Sequence, residues 1–261
     1  MPVFQYREFP PPPALAGHLV CLWESVAGSP GAHRVFPDGC IDIVFISDLP
    51  PVIAGPWTEP FTAEVPAGAR MVGARWHPGR APGLLGWPAC ELLNQTVPWR
   101  DVCGRAIEAQ LARVRDQRDL GGRRMALAQA LMGLLDRSTP VDPAVSAGIH
   151  WLARHPQGRI DQLGEWMGIS HRQLQRRFVG AVGYGPKMFQ SILRFQRLLD
   201  LASRGAGSLA AISVDAGYAD QSHMTREVQR FAGETPAALL RTSRSMLAMS
   251  DFFKTTDPRD C

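Results

Sequence analysis

The sequence has no apolar run long enough to cross a membrane. No stretch reaches the roughly 18 consecutive apolar residues that a transmembrane helix requires. The first residues, 1–13, also lack the basic segment and apolar stretch of a secretory signal peptide. We therefore expect a cytoplasmic protein with no membrane partner. The 261 residues, 45% of them hydrophobic, can fill two globular domains.

Cysteine is scarce and follows no motif. The five cysteines are Cys21, Cys40, Cys90, Cys103 and Cys261, and none forms a C-x-x-C pair. In a cytosolic chain this set is typical of reduced thiols. Cys40, beside a predicted strand, is a candidate redox or electrophile sensor, and an inert buried thiol is the alternative.

Catalytic motifs are missing as well. There is no Ser/His/Asp arrangement and no glycine loop that would cradle a phosphate. A metal site would need His33, His77, Asp42 and Glu24, which have no H-x-H spacing. We expect no enzyme activity, cofactor or metal. Two alternatives stay open: a cupin-type metal enzyme with a helical appendage, and a regulator that senses chemical stress through a cysteine.

Basic residues are concentrated in one part of the chain. Residues 142–245 contain 13 Arg and Lys against 8 Asp and Glu, whereas residues 1–141 contain 13 of each. An excess of this size permits nucleic-acid binding without demanding it.

Residues 1–95 predict a β-rich domain. Strands are predicted at Cys40–Ile46, Arg70–Trp76, Phe61–Val65 and Pro51–Gly55, each bounded by turn-forming residues. Short strands separated by turns favour a small barrel.

The next segment changes to helical spacing. Apolar residues over Trp99–Arg137 predict two helices with a break at Gly121-Gly122, and residues 96–140 are a linker that could pair in a homodimer. Asp142-Pro143 predicts the start of a further helix. Residues 141–245 would form the last domain and 246–261 a tail.

The most informative stretch is "RIDQLGEWMGISHRQLQRRF", residues 159–178. Its spacing predicts a short helix, a positive-φ turn at Gly168 and a second helix capped by Ser170. Leu174 and Phe178 turn the inner face of the second helix to the core. The pattern predicts a helix-turn-helix, and a helical hairpin with a solvated polar face is the alternative.

Four side chains of this second helix are predicted to face outward. They are His171, Arg172, Gln175 and Arg176. Arg and Gln can bond bidentately to guanine and adenine in the major groove, so double-stranded DNA is the predicted partner.

The design recurs in "SLAAISVDAGYADQSHMTREVQRF", residues 208–231. Leu209, Ile212 and Val214 pattern the first helix, Gly217 makes the turn, and Asp220 caps the second helix. The predicted outward side chains are Gln221, Ser222, Thr225 and Arg226.

A long helix is predicted between the units, over residues 186–202. A stiff helix of this kind could hold two reading helices about 34 Å apart, one turn of B-DNA.

This pair of units resembles the AraC/XylS family of transcription regulators. The resemblance lies in "ISHRQLQRRFVGAVGYGPKMF" and "AISVDAGYADQSHMTREVQRFAGETPAALLR", over about a hundred residues. It implies base contacts from Arg172, Gln175 and Arg176 and from Gln221, Ser222 and Arg226, with Thr225 nearer the phosphates. It also implies RNA polymerase as a further partner.

The second unit departs from the family pattern. Met224 and Val228 stand where the family favours Phe, and Gln229 stands where it favours Lys. We therefore expect a looser second core and most of the sequence specificity in the first unit.

The front of the chain is similar to the sensor domain of one subgroup of these regulators. The similarity lies in Trp23, "RVFPDGCIDIVF" and "VGARWHPG", and it implies a cupin-related β domain that binds a small-molecule effector or mediates dimerisation. The aromatic candidates for a ligand pocket are Trp23, Phe36, Phe45, Trp57, Trp76 and Trp87; ordinary core or surface positions are the alternative. The whole chain is predicted to be α+β, with a cupin-like barrel, a helical linker and an all-α domain.

Overall fold

A computed structural model describes residues 4–28, 31–205 and 208–243, and the side chains of Phe4, 31–33, 103–110 and 242–243 are not described. A strand-rich first part is followed by helices, so the predicted α+β class is confirmed. The predicted tail, 246–261, lies outside the described residues.

Within the described residues, eight strands build the first part of the chain. They are β1 (Phe4–Phe9), β2 (Leu19–Ala27), β3 (Gly31–Val35), β4 (Ile41–Ile46), β5 (Val52–Ala54), β6 (Phe61–Val65), β7 (Arg70–Trp76) and β8 (Thr96–Pro98). Six form an antiparallel sheet in the order β1-β2-β7-β4-β5-β8, and β3 pairs with β6 in a separate ribbon. By its hydrogen-bonding pattern, the region predicted to form a barrel thus consists of two separate sheets.

The two faces of the large sheet follow strand alternation. On β7, Val72, Ala74 and Trp76 point to one face and are completely buried there. Met71 lies on the opposite face, in a smaller apolar cluster with Val65 of the ribbon. Each face is therefore covered by a different part of the chain.

Three α-helices accompany the sheet in the part of the chain that the structure describes, and two of them are the predicted pair. They are α1 (Ala81–Leu85), α2 (Trp99–Arg115) and α3 (Leu120–Met132). Leu111, Leu127 and Leu131 are buried in one core with the sheet. The predicted break at Gly121-Gly122 is wrong by a few residues: Asp119 caps α3 by accepting from the Gly122 amide at 2.8 Å, so both glycines lie in the first helical turn.

Seven α-helices build the second part, as far as it is described. They are α4 (Pro143–Arg154), α5 (Ile160–Met167), α6 (His171–Val182), α7 (Pro186–Ser203), α8 (Leu209–Ala216), α9 (Gln221–Ala232) and α10 (Pro236–Ser243). Asp142 caps α4 by accepting from the Ala144 amide, with Pro143 in the first turn, as predicted. Within the described ranges, no helix is long and apolar enough to span a bilayer.

Candidate nucleic-acid interface

The first helix-turn-helix forms as its sequence predicts. Gly168 ends α5 with φ of 64°, the left-handed conformation that favours glycine. Ser170 caps α6: its hydroxyl accepts from the Gln173 amide, and its own amide donates to the Gln173 side chain at 3.0 Å. Leu174 and Phe178 are buried at 1% and 0% exposure, so α6 is held on the core by the expected face.

The opposite face of α6 is open to solvent. His171, Arg172, Gln175 and Arg176 are all exposed. Arg177 is exposed too, but its guanidinium bonds both carboxylate oxygens of Asp142, at 2.9 and 2.8 Å. This ion pair ties Arg177 back to the start of α4.

The side chain of Gln175 on α6 packs against the start of α7. Its amide lies directly beside Gly185, the N-cap residue of α7. A side chain at position 185 would collide with this amide.

The second unit repeats the arrangement. Gly217 ends α8 with φ of 95°, and Asp220 caps α9 by accepting from the His223 amide at 2.7 Å. The predicted outward residues Gln221, Ser222, Thr225 and Arg226 are exposed. The Thr225 hydroxyl donates to the backbone carbonyl of Gln221 at 2.8 Å.

One residue of the second unit was assigned to the wrong face. Val214 was expected to help pattern α8 inward, but it is 66% exposed. Ile212 and Val214 are only two residues apart and therefore lie on different sides of a helix. The inner face is instead made by Ile212, Ser213 and Ala216.

The cores of the two units are equally well buried. Met224, Val228 and Phe231 of α9 are at most 1% exposed, matching Leu174 and Phe178 of α6. Burial therefore does not distinguish the units, and the expected asymmetry in specificity stays a prediction.

Helix α7 joins the two cores, as its predicted role requires. The rings of Phe189 and Phe178 lie 6.1 Å apart on the side of the first unit, and those of Phe195 and Phe231 lie 5.4 Å apart on the side of the second. Arg194 adds an ion pair with Glu227 of α9 at 2.8 Å. The units are thus packed against one shared rod.

The six aromatic candidates for an effector pocket do not meet. Strand alternation puts Phe45 and Trp76 in the core beneath the helices, with Trp87 against it, and Trp23 on the ribbon side. Phe36 packs edge-on against Phe195 of α7, and Trp57 stacks on Phe61 with ring centroids 4.2 Å apart. A single lining formed by all six residues is therefore wrong, because Trp23 lies on the opposite sheet face from Phe45 and Trp76, and because the loop residues Phe36 and Trp57 pack elsewhere. Ligand binding at any one of them stays a prediction.

A polar cluster that the sequence analysis missed lies on the ribbon side of the sheet. The Arg75 guanidinium is only 6% exposed; its Nε is 3.2 Å from Asp42 and 3.7 Å from Asp38. Trp23 donates its indole N–H to Asp42 at 2.8 Å. Burial nevertheless raises the pKa of Asp42, with Arg75 as the main opposing influence. The available signal was an arginine inside the β-rich run at residues 70–76.

One nitrogen of this guanidinium is unsatisfied. Arg75 Nη1 is fully buried and has no hydrogen-bond partner among the residues that the structure describes; Glu8 is its ion-pair neighbour at 3.8 Å. A buried donor without an acceptor costs about 1–3 kcal/mol, more when charged.

The surroundings of Cys40, Asp42 and Glu24 favour structural roles for these side chains. Cys40 is buried, which raises its pKa well above the usual value and disfavours the reactive thiolate. Asp42 faces Arg75, whereas Glu24 faces the helices and pairs with Arg124 at 2.8 Å. The two carboxylates therefore lie on opposite sides of the sheet. The side chain of His33 lies outside the described residues.

Comparison with known proteins separates the same two parts. Residues 163–242 match the family described as a helix-turn-helix domain, and residues 7–98 match the family described as a domain of unknown function (DUF6597). Among curated proteins, nothing matches the chain.

Solved structures of one protein are similar over most of the chain. A structure of ToxT from Vibrio cholerae is 10% identical, covers 92% of this chain and 98% of its own, and has a TM-score of 0.49. Wild-type ToxT from Vibrio cholerae bound to an unsaturated fatty acid is 12% identical, with coverages of 84% and 94% and a TM-score of 0.46.

The geometry and the family match at residues 163–242 agree on the second part of the chain. Two capped helices with exposed polar faces stand on one shared helix, as in proteins that read DNA. The chain is therefore a DNA-binding transcription regulator with an AraC-type helix-turn-helix domain, preceded by a domain of the DUF6597 family.

Proposed function

We propose that α6 and α9 read neighbouring segments of the DNA major groove. The observation that carries this proposal is the pair of equivalent, exposed polar faces, each capped at its N-terminus and buried on the other side. The 18 residues of α7 make a rod about 27 Å long, comparable with the roughly 34 Å of one DNA turn.

The proposed base contacts come from the exposed readers of both helices. In α6 they are His171, Arg172, Gln175 and Arg176; in α9 they are Gln221, Ser222, Thr225 and Arg226. The arginines can bond guanine bidentately, and Gln175 and Gln221 can bond adenine. Thr225, whose hydroxyl donates to the Gln221 carbonyl, would have to release that hydrogen bond before it could donate to a phosphate.

Selection from a random DNA library tests this function. The purified protein is incubated with random duplexes, bound molecules are amplified and sequenced, and affinity is measured by fluorescence anisotropy. We expect enriched duplexes with two recognition elements about 10–10.5 base pairs apart. The double variant Arg176→Ala/Arg226→Ala should lose this preference. Enrichment of a single element, or of none, would contradict two-helix reading.

We further propose that a small molecule gates DNA binding from the cluster around Arg75. The support is the buried Nη1 without a hydrogen-bond partner, which an acceptor group of the effector would satisfy. Asp38 connects this cluster to the segment 36–40, which we call the β3–β4 loop. An acceptor that draws the guanidinium towards itself at Nη1 would lengthen the 3.7 Å contact between Nε and Asp38, and the loop would then move.

The β3–β4 loop also touches α7. The Pro37 carbonyl accepts from the Gln196 side chain at 2.6 Å, and the Phe36 ring lies 5.8 Å from that of Phe195. A methyl group on Gly39 would lie 2.9 Å from the Phe189 ring, so loop and helix are in tight contact. Movement at Arg75 can thus reach the rod that carries both reading helices.

A matched pair of variants tests this coupling. Asp38→Asn weakens the pairing with Arg75 but keeps the side-chain shape, and we expect DNA affinity to change in the absence of effector. Asp48→Asn alters an aspartate that is 94% exposed and should leave affinity unchanged. A compound library is then screened for a rise in Tm together with a change in DNA affinity. Equal DNA affinities for both variants would refute the coupling.

The domain limits and a homodimer belong to the same proposal. We infer a sensor at 1–95, a linker at 96–140 and a DNA-binding domain at 141–245. In the linker, most described apolar side chains pack inward, but Met125 of α3 is 51% exposed and could meet a second copy. Sedimentation velocity of the wild type and of Met125→Gln tests this pairing. A monomer at all concentrations would exclude it.

A further inference from the structure

Each reading helix ends at a glycine turn, and the two turns correspond to one another. Helix α6 ends at Gly183 with φ of 98°, before Tyr184-Gly185-Pro186. Helix α9 ends at Gly233 with φ of 67°, before Glu234-Thr235-Pro236. Any contact that holds both turns also holds the C-terminal ends of both reading helices.

One loop of the first domain touches both turns. A methyl group on Gly183 would lie 2.7 Å from Cγ of Pro56, and one on Gly233 would lie 3.6 Å from Cγ of Pro60. Pro56 and Pro60 are four residues apart in the loop between β5 and β6. We call residues 56–60 the brace, because this short segment reaches from one helix-turn-helix unit to the other.

The brace is fixed within its own domain. The backbone N–H of Thr58 donates to the side-chain oxygen of Asn94 at 2.8 Å. The backbone N–H of Asn94 donates to the Pro56 carbonyl at 3.0 Å. The Trp57 ring stacks on Phe61. Proline at both ends restricts the backbone further. The backbone of the brace is therefore held in place by its own domain, so it can fix the positions of the two glycine turns that it contacts.

Arg34 strengthens the contact with the second turn. Its guanidinium forms an ion pair with Glu234 at 2.8 Å and donates to the backbone carbonyl of Ala232, the last residue of α9. A cation at a helix C-terminus is favoured by the helix dipole and by the free carbonyls there. The side chains of the pair are 34% and 22% exposed, so water only partly screens the contact.

We propose that the brace and Arg34 fix the angle between α6 and α9 and thereby restrict the chain to one spacing of its two DNA elements. This inference rests on the proposed reading of DNA by both helices. Helix α7 alone sets the distance between the units, but a unit can still turn about a single rod. A second contact point on each unit removes this freedom. Arg34, Pro56 and Pro60 are thus positioning residues, with no contact to bases of their own.

A distance measurement without DNA tests the brace directly. Nitroxide labels on unnatural ketone side chains at positions 171 and 221 leave the cysteines intact, and pulsed electron resonance gives the distribution of distances between α6 and α9. We expect one narrow distribution for the labelled parent and a broadened or shifted one for Arg34→Ala/Pro60→Gly. The control Arg7→Ala/Pro50→Gly makes the same changes at exposed positions outside the contact. Identical distributions for all three proteins would overturn the proposal.

Spacing on DNA provides the second readout, on duplexes selected with the unlabelled wild type. One inserted base pair rotates one element by about 34° and moves it by about 3.4 Å. We expect the wild type and the control to lose about tenfold or more in affinity, and the brace variant to lose less than about threefold. The same tenfold loss in the brace variant would refute the inference.

Two safeguards keep the outcomes separate. If no duplex is selected, the proposed DNA reading fails, while the label distances still decide whether the brace holds the helices. If circular dichroism shows that Arg34→Ala/Pro60→Gly is unfolded, Glu234→Gln replaces it, because this variant removes only the charge that faces Arg34. Glu234→Gln should then relax the spacing requirement in the same direction, and an unchanged requirement would refute the role of the ion pair.

Discussion

Two neighbouring arginines on α6 should contribute very differently to DNA binding. Arg176 is exposed, and among the described residues no carboxylate lies within ion-pair distance of it. Arg177 also reaches solvent, but Asp142 holds it at 2.8 Å. We therefore expect Arg176→Ala to weaken specific binding strongly and Arg177→Ala to have almost no effect.

The structure sets the size of each effect. An arginine that bonds a guanine bidentately contributes about 1–3 kcal/mol, which corresponds to a loss of about 5- to 150-fold in affinity for Arg176→Ala. The pair of Arg177 with Asp142 is partly exposed and should stabilise the fold by only about 0.2–1 kcal/mol. Because Asp142 still caps α4 through the Ala144 amide, Arg177→Ala should change DNA affinity less than about twofold.

Fluorescence anisotropy at one fixed salt concentration measures both variants on the same selected duplex. Urea unfolding of each protein separates a loss of contact from a loss of stability. The assignment of the reading face requires Arg176→Ala to be the weaker binder. A loss for Arg177→Ala equal to or greater than that for Arg176→Ala would show that α6 meets DNA with another face.

Four further predictions follow from the geometry. DNA affinity should fall about 10- to 1000-fold between about 50 and 200 mM salt, and an unchanged affinity in a salt titration would exclude a phosphate-tracking interface. Burial lowers the pKa of His77 to about 4 from its usual 6.5, so unfolded His77 gains a proton first as the pH falls. The free energy of unfolding should therefore drop by roughly 2–3 kcal/mol between pH 6.5 and 4, and His77→Gln should reduce this drop in urea titrations. Phe195→Ala, which empties the contact with Phe36 and Phe231, should cost about 3–5 kcal/mol in the same assay. Val214→Gln should stay within about 0.5 kcal/mol of the wild type, and a larger loss would mean that position 214 is buried after all.

The helix-turn-helix units could be predicted because their signals are local. Gly168 and Gly217 mark turns that need a positive φ, and Ser170 and Asp220 cap the helix that follows. Each of these signals acts within a few residues of chain, so sequence spacing alone contains the geometry. The error within these two units concerns Val214, whose angular position on α8 differs from that of Ile212.

The first domain was harder because its sites depend on pairing between distant strands. The strands at residues 61–65 and 70–76 were predicted with their exact limits. The strand pattern does not show which sheet face each residue occupies. Trp23 and Trp76, both candidates for one pocket, lie on different sides of the sheet. The Arg75 cluster also joins several strands and has no local motif.

Contacts between the two domains could not be predicted from any sequence motif. Pro56 and Pro60 look like ordinary turn residues, and nothing near Arg34 indicates Glu234 as its partner. Such contacts depend on how the surfaces of two folded domains pack together. Hydrophobic periodicity and helix capping are local signals and do not predict this packing.

The contacts of Arg34 also bear on the order in which the molecule is completed. They join residues 200 and 198 positions apart along the chain. Closing so long a loop has a large entropic cost, and non-local contacts of this kind form late in folding. During synthesis Arg34 leaves the ribosome long before α9 does, so its contacts with Ala232 and Glu234 can form only after nearly the whole chain has been made. Docking of the helical part against the strand-rich part at Arg34 is therefore expected to be a late step of folding.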